Sequence, residues 1–200
     1  MPRTVDHAER RARIAEALVR VAAQEGLHAV TMRAVAAESG VSLRLVQYYF
    51  DTKEQLLLGA LRHLEQQSRQ RWAARVAELP SPVPPRAFVE AFLTEALPTD
   101  EQSRTFHLVG TSYAVLAMTD PSLTAEPFIA NVDDLQRQLA DALRQAQADG
   151  QVAAGVDVSV EAARLVTLSH GLGTSVLIGQ YDVDGAMTVL RYHLDTLFRR

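Results

Sequence analysis

The stretch Thr31 to Lys53, TMRAVAAESGVSLRLVQYYFDTK, restricts what this chain can fold into more than any other part of it. Thr31 is placed to cap a short helix over Met32 to Ser39. Gly40 supplies the left-handed residue that ends it, and Ser42 caps a second helix running to about Tyr49. Two short helices joined by a glycine-containing turn of this length read as a helix-turn-helix of the DNA-binding kind. Ala36 is small where the two helices must approach, and Val35, Val41 and Val46 can fill the core between them.

A recognition helix presents varied polar groups to base edges while its opposite face packs. Val46 and Tyr49, with Phe50 just after, read as the packing side, which leaves Ser42, Leu43, Arg44, Gln47 and Tyr48 for DNA. Arg44 can bond guanine O6 and N7 in a bidentate manner, and Gln47 can read adenine or bond a phosphate. Tyr48 offers a hydroxyl to phosphate and a ring to a thymine methyl. Leu43 and Leu45 can be apolar base contacts, with Leu45 equally able to be core. Thr31 and Arg33, at the start of the first motif helix, are placed for backbone contact.

Lys53 is the only lysine, against nineteen arginines, and falls in the first turn of a long helix. A cation there opposes the helix dipole, at about 0.3–1 kcal/mol on an exposed surface. The position makes sense if helix terminus and ammonium grip one phosphate together; the plain alternative is a solvated lysine beside Glu54. Arg3, Arg10, Arg11 and Arg13 form either an arm near the duplex or a solvated helix face. Charge follows the same division. Residues 1–63 carry +2 and residues 64–200 carry −6, a mildly basic module on an acidic body.

Nearly all of the rest reads helical, giving an all-α chain of about nine helices with no convincing strand. An Asp6-x-x-Glu9 capping box opens the first helix, which stops at Gly26. The long helix from Lys53 runs to the break SPVPP at 81–85. Further helices are expected over 86–97, 101–118, 122–149 (begun late or kinked by Pro127), 158–180 and 184–198. The expected organisation is a DNA-binding domain over 1–52, a linking helix over 53–80, and an effector-binding and dimerisation domain over 81–200.

The segment TMRAVAAESGVSLRLVQYYFDTKEQLL resembles the N-terminal domain of TetR-type transcriptional regulators, whose pattern runs Thr, a spaced Ala and Gly-Val-Ser, then Tyr-x-x-Phe-x-x-Lys-x-x-Leu. The resemblance covers residues 7–60. It departs at Gln47, where the family commonly has Tyr, and at Arg44, where it has Gly or another small residue. Different contacts at these positions should change the operator without abolishing binding. More loosely, AARLVTLSHGLGTSVLIG and LRYHLDTL resemble the C-terminal domain of the betaine-type, choline-responsive subgroup.

The resemblance implies a homodimer built on the last two helices, and the sequence supports it independently. The 158–180 segment is apolar nearly all round, through Leu165, Leu168, Leu172 and Val176, and needs more partner surface than one small domain supplies. Met187, Leu190, Leu194 and Leu197 recur at bundle spacing in the last helix, so these eight are the expected interface. The resemblance also implies a small effector inside the larger domain. The candidates are polar and aromatic residues on otherwise apolar helices: Trp72, Phe88, Phe92, Phe106, His107, Thr111, Tyr113 and His170. No charged residue stands out as buried there, which points to a fairly hydrophobic effector.

Enzyme chemistry finds little support. Ser169 and His170 are neighbours on one helix and point apart, and there is no Gly-rich phosphate loop, His-Glu-x-x-His or Gly-x-Ser-x-Gly. No catalytic residue, metal or cofactor is expected. Without cysteine, a membrane-length apolar run or a signal-like N-terminus, a cytoplasmic protein is expected. The reading is a dimeric repressor released from a pseudo-palindromic operator by a small molecule. The alternative is a DNA-binding helical dimer that a protein partner controls, or that has no effector.

Overall fold

A computed structural model of the chain describes residues 3–120, 123 and 132–198. Its described residues form nine α-helices and no strand: α1 Arg3–Glu25, α2 Met32–Ser39, α3 Leu43–Tyr49, α4 Lys53–Ala77, α5 Pro85–Glu95, α6 Glu101–Thr119, α7 Val132–Ala148, α8 Val158–Leu177 and α9 Val183–Leu197. A short 3-10 turn over Leu27–Ala29, absent from the sequence reading, carries the chain from α1 into α2. Helix α1 begins before Asp6, so the expected capping box lies inside it. The first part of the helix expected over 122–149 lies outside the described residues.

The caps fall where the side-chain chemistry put them. Thr31 accepts from the Ala34 N–H at 3.0 Å and Ser42 from the Leu45 N–H at 3.2 Å. Gly40 ends α2 at φ 67°, a left-handed conformation that costs a residue with Cβ more than it costs glycine. Thr52 caps α4 through the Gln55 N–H.

The helices pack into two units. Of the described residues, the first comprises 3–67, 105–120 and 123, the second 68–104 and 132–198, so α4 and α6 each contribute to both. In the first, Ile14, Leu18, Val35, Val46, Phe50, Leu56 and Leu61 close over one core with Val109 and Tyr113 of α6. In the second, α5, α7, α8 and α9 surround Val89, Leu93, Leu139, Leu143, Leu165, Leu190 and Leu194. Polar ties fasten that unit. Glu95, 6% exposed, accepts from Ser68 and Arg71 of α4, each at 2.9 Å. Glu161 of α8 pairs with His193 of α9.

The expected dimer residues lie deeper than the sequence reading assumed. Leu165, Leu172, Leu190, Leu194 and Leu197 are at most 9% exposed within the second unit itself. Leu168, Val176 and Met187 pack partly against the same core. Side chains already enclosed by their own protomer have little area left to bury against a second copy.

Candidate functional site

The helix-turn-helix shows a clean division between its faces. Val46 and Phe50 are fully buried, whereas Ser42, Arg44, Gln47 and Tyr48 are exposed, Tyr48 at 71%. Positions 44, 47 and 48 share one face of α3 because residues three and four apart are neighbours on a helix. Ser42, Arg44, Leu45 and Tyr48 together line a shallow surface depression. Leu43, expected on the DNA side, instead packs partly against the first unit's core, and Leu45 is the leucine on the outer rim. Thr31 and Ser42 spend a lone pair on capping but keep the O–H proton to donate.

Two neighbours of this face were not legible in the sequence. The His7 ring of α1 lies 5.4 Å from Tyr49 and 6.1 Å from Tyr48, and the two tyrosines meet edge to face at 5.3 Å. An α1 ring thus helps hold Tyr48 outward, a tertiary contact with no local signal. Gly59 is the second. A Cβ there would stand 2.4 Å from the Phe50 ring, so glycine is what lets the end of α3 close onto α4. Arg33 is exposed, as is Lys53, the first residue of α4, which has no ion-pair partner among the described residues.

The expected effector residues separate into two groups. In the second unit Trp72 lies against Phe88 at 5.1 Å and Phe92 at 5.7 Å between ring centroids. The buried Trp72 Nε1–H finds no acceptor among the described residues. His170, on α8 of the same unit, is partly buried, and desolvation lowers its pKa below the ordinary 6.5. Phe106, His107, Thr111 and Tyr113 are all on α6 in the first unit. Phe106 and His107 are partly buried there. Tyr113 is core, its hydroxyl donating to the Leu123 carbonyl at 3.2 Å. Thr111 lines a separate cavity. Among the described residues no group of three or more His, Asp or Glu could hold a metal, and no helix is long and apolar enough to cross a membrane.

Comparisons with known proteins bear on the family and the fold. Residues 14–60 match the family described as bacterial regulatory proteins, tetR family, and residues 85–199 match BetI-type transcriptional repressor, C-terminal. The chain is 26% identical to the HTH-type transcriptional regulator PksA of Bacillus subtilis over 98% of its own length and 94% of the relative's. It is 34% identical to the HTH-type transcriptional regulator BetI of Rhizobium meliloti, over 50% of this chain and 48% of that one. Among solved structures it is similar to a transcriptional regulator from Saccharomonospora viridis in complex with choline. That likeness has a TM-score of 0.74 at 27% identity and covers 94% and 95% of the two chains.

Proposed function

This chain belongs to the TetR family of bacterial DNA-binding transcriptional regulators, with a BetI-type C-terminal region, and we propose that it is a dimeric repressor released from its operator by a small, fairly hydrophobic molecule. The family acts by binding DNA, not by catalysis, which closes the enzyme alternative. The observation that carries the DNA reading is the exposed row Arg44, Gln47 and Tyr48 on a helix whose other face is locked by Val46 and Phe50. Two such helices related by a twofold axis would meet half-sites one DNA turn apart or a multiple of it.

Support for dimerisation comes from the outer face of α8. Val160, Arg164, Thr167, Gly171 and Ile178 are exposed, and at 100° per residue they fall within about 40° of one line. Val160 and Ile178 are 63% and 65% exposed, large values for aliphatic side chains, and the space above Gly171 is open. Tyr192 of α9 is 73% exposed. This outer stripe, not the buried leucines, is the surface a second copy would cover.

Support for the effector comes from Trp72. An indole N–H buried without an acceptor costs about 1–3 kcal/mol, which a ligand acceptor would remove. The buried carboxylate of this region, Glu95, is already taken by Arg71 and Ser68, so the aromatic cluster offers no spare charge. The effector class that fits is uncharged, largely apolar, with one hydrogen-bond acceptor. Trp72 and Arg71 are on the helix whose first residue is Lys53, so a shift of α4 on ligand binding would reach the DNA contact. A coupling of about 1–3 kcal/mol between the sites would be ordinary.

The test is selection of source-genome fragments by the purified protein at near-physiological salt, followed by sequencing. One enriched pseudo-palindrome, with the protein sedimenting as a dimer, is the expected result. No enrichment over a salt-matched control would remove the repressor reading. Titration of the complex with uncharged aromatic compounds and with choline, the ligand of the S. viridis relative, then separates the effector classes.

A further inference from the structure

One cavity lies wholly within the first packing unit and serves neither the recognition helix nor the Trp72 cluster. It is a cleft open to solvent, of about 440 Å³, between the start of α4 and α6, with Lys53, Glu54, Leu57, Thr111, Ser112 and Val115 among its walls. That volume is within the range of small-molecule sites.

Its polar groups differ from their counterparts elsewhere in the protein. The helical Thr94, Thr119, Thr167, Thr174, Thr188 and Thr196 each donate to a carbonyl three or four residues back. That is the ordinary way for a helical hydroxyl to be satisfied. Thr111 and Ser112 have no such bond among the described residues, and Lys53 has no carboxylate partner. Three unengaged donors therefore line one cavity. Beside them the aliphatic surface is left open: Val115 is 56% exposed, and Met118, on the next turn of α6, is 81% exposed.

We infer that this cavity is a second ligand site, built for an amphipathic monocarboxylate, and that its occupant withdraws Lys53 from DNA phosphate. The carboxylate accepts from the Lys53 ammonium and the two hydroxyls, and the hydrocarbon covers Leu57 and Val115. Glu54, adjacent to Lys53, opposes a second negative charge and so selects a monoanion. One ammonium cannot hold a ligand carboxylate and an operator phosphate at full strength together. The ligand site stands on the cavity alone; its effect on DNA rests on the repressor reading.

The experiment titrates the full chain with decanoate below its micelle concentration, by calorimetry. It then measures affinity for the enriched genomic fragment with and without decanoate. Binding in the wild type should weaken at least tenfold in Lys53→Gln and in Val115→Trp, which fills the cavity from an exposed position. Suberate, with a second carboxylate, should bind at least tenfold more weakly than decanoate. Thr111→Val, nearly isosteric, gives the same reading should the tryptophan variant fail to fold. Decanoate binding unchanged in these variants, or absent from the wild type, overturns the site. Binding lost in the variants, with wild-type DNA affinity indifferent to decanoate, overturns the competition for Lys53. A protein that selects no DNA fragment refutes the repressor reading instead, while the calorimetry still decides the site.

Discussion

Arg44 of α3 and Lys53 at the start of α4 are both exposed cations, yet removing them should fail in different ways. Arg44→Ala should relax base choice at one operator position, costing about 1–3 kcal/mol there while random DNA binds nearly as before. Lys53→Ala should weaken every sequence alike and flatten the salt dependence by about one unit of log–log slope per protomer. Equal losses of Arg44→Ala on operator and random DNA, or an unaltered slope in Lys53→Ala, would reverse the two roles. Gly59 tests packing at the same scale. Alanine is intrinsically favoured over glycine in a helix by about 1 kcal/mol. At this position its Cβ would stand 2.4 Å from the Phe50 ring, so the overpacking should win and Gly59→Ala should lower the melting temperature. A raised melting temperature would mean that the Phe50 ring moves aside freely. Exposure of Arg44, Gln47 and Tyr48 was readable from the spacing of capping and apolar residues. Gly59 was not, because the ring it admits is set by how α3 meets α4.

At the scale of helices, α8 shows that an apolar pattern locates a helix without saying which of its faces meets which neighbour. It is apolar on several faces, and sequence reasoning gave its leucines to a partner copy. The leucines instead meet α5, α7 and α9 in their own protomer, because the largest apolar side chains gain most from complete burial. A residual stripe, bounded by Val160 and Ile178 with Gly171 between, is left outward. The eighteen-residue separation of two aliphatics around a glycine was present in the sequence and is the signal that could have identified it. The same helix carries a pH dependence. Burial holds the folded-state pKa of His170 below 6.5, so the unfolded chain binds the proton more readily. Its contribution is therefore complete above about pH 6.5 and is lost as pH falls towards the depressed folded value. His170→Gln should lose less stability than wild type between pH 7 and pH 5.5 in urea melts. Parallel losses would mean that His170 does not titrate on unfolding.

For the whole molecule, the separation of core from outer stripe yields a paired prediction. Ile178→Asp should leave the helical content intact while shifting the protein towards monomer in sedimentation. Leu165→Ala should cost about 2–5 kcal/mol of unfolding free energy through the cavity it leaves. A dimer indifferent to Ile178→Asp would remove α8's outer face from the interface. Weak DNA binding by the monomer should follow, since a single recognition helix contacts one half-site only.

Helix positions, their caps and the exposed row of α3 were readable in the chain because each depends on contacts within a few residues. Thr31, Gly40 and Ser42 act on their own turns, and three-and-four spacing sorts faces whatever surrounds them. Which apolar face meets which partner was not readable. Nor was the separation of Trp72, Phe88 and Phe92 from Phe106, His107, Thr111 and Tyr113. Burial is a property of how distant helices close on one another, and two faces of equal hydrophobicity are distinguished only by what packs against them.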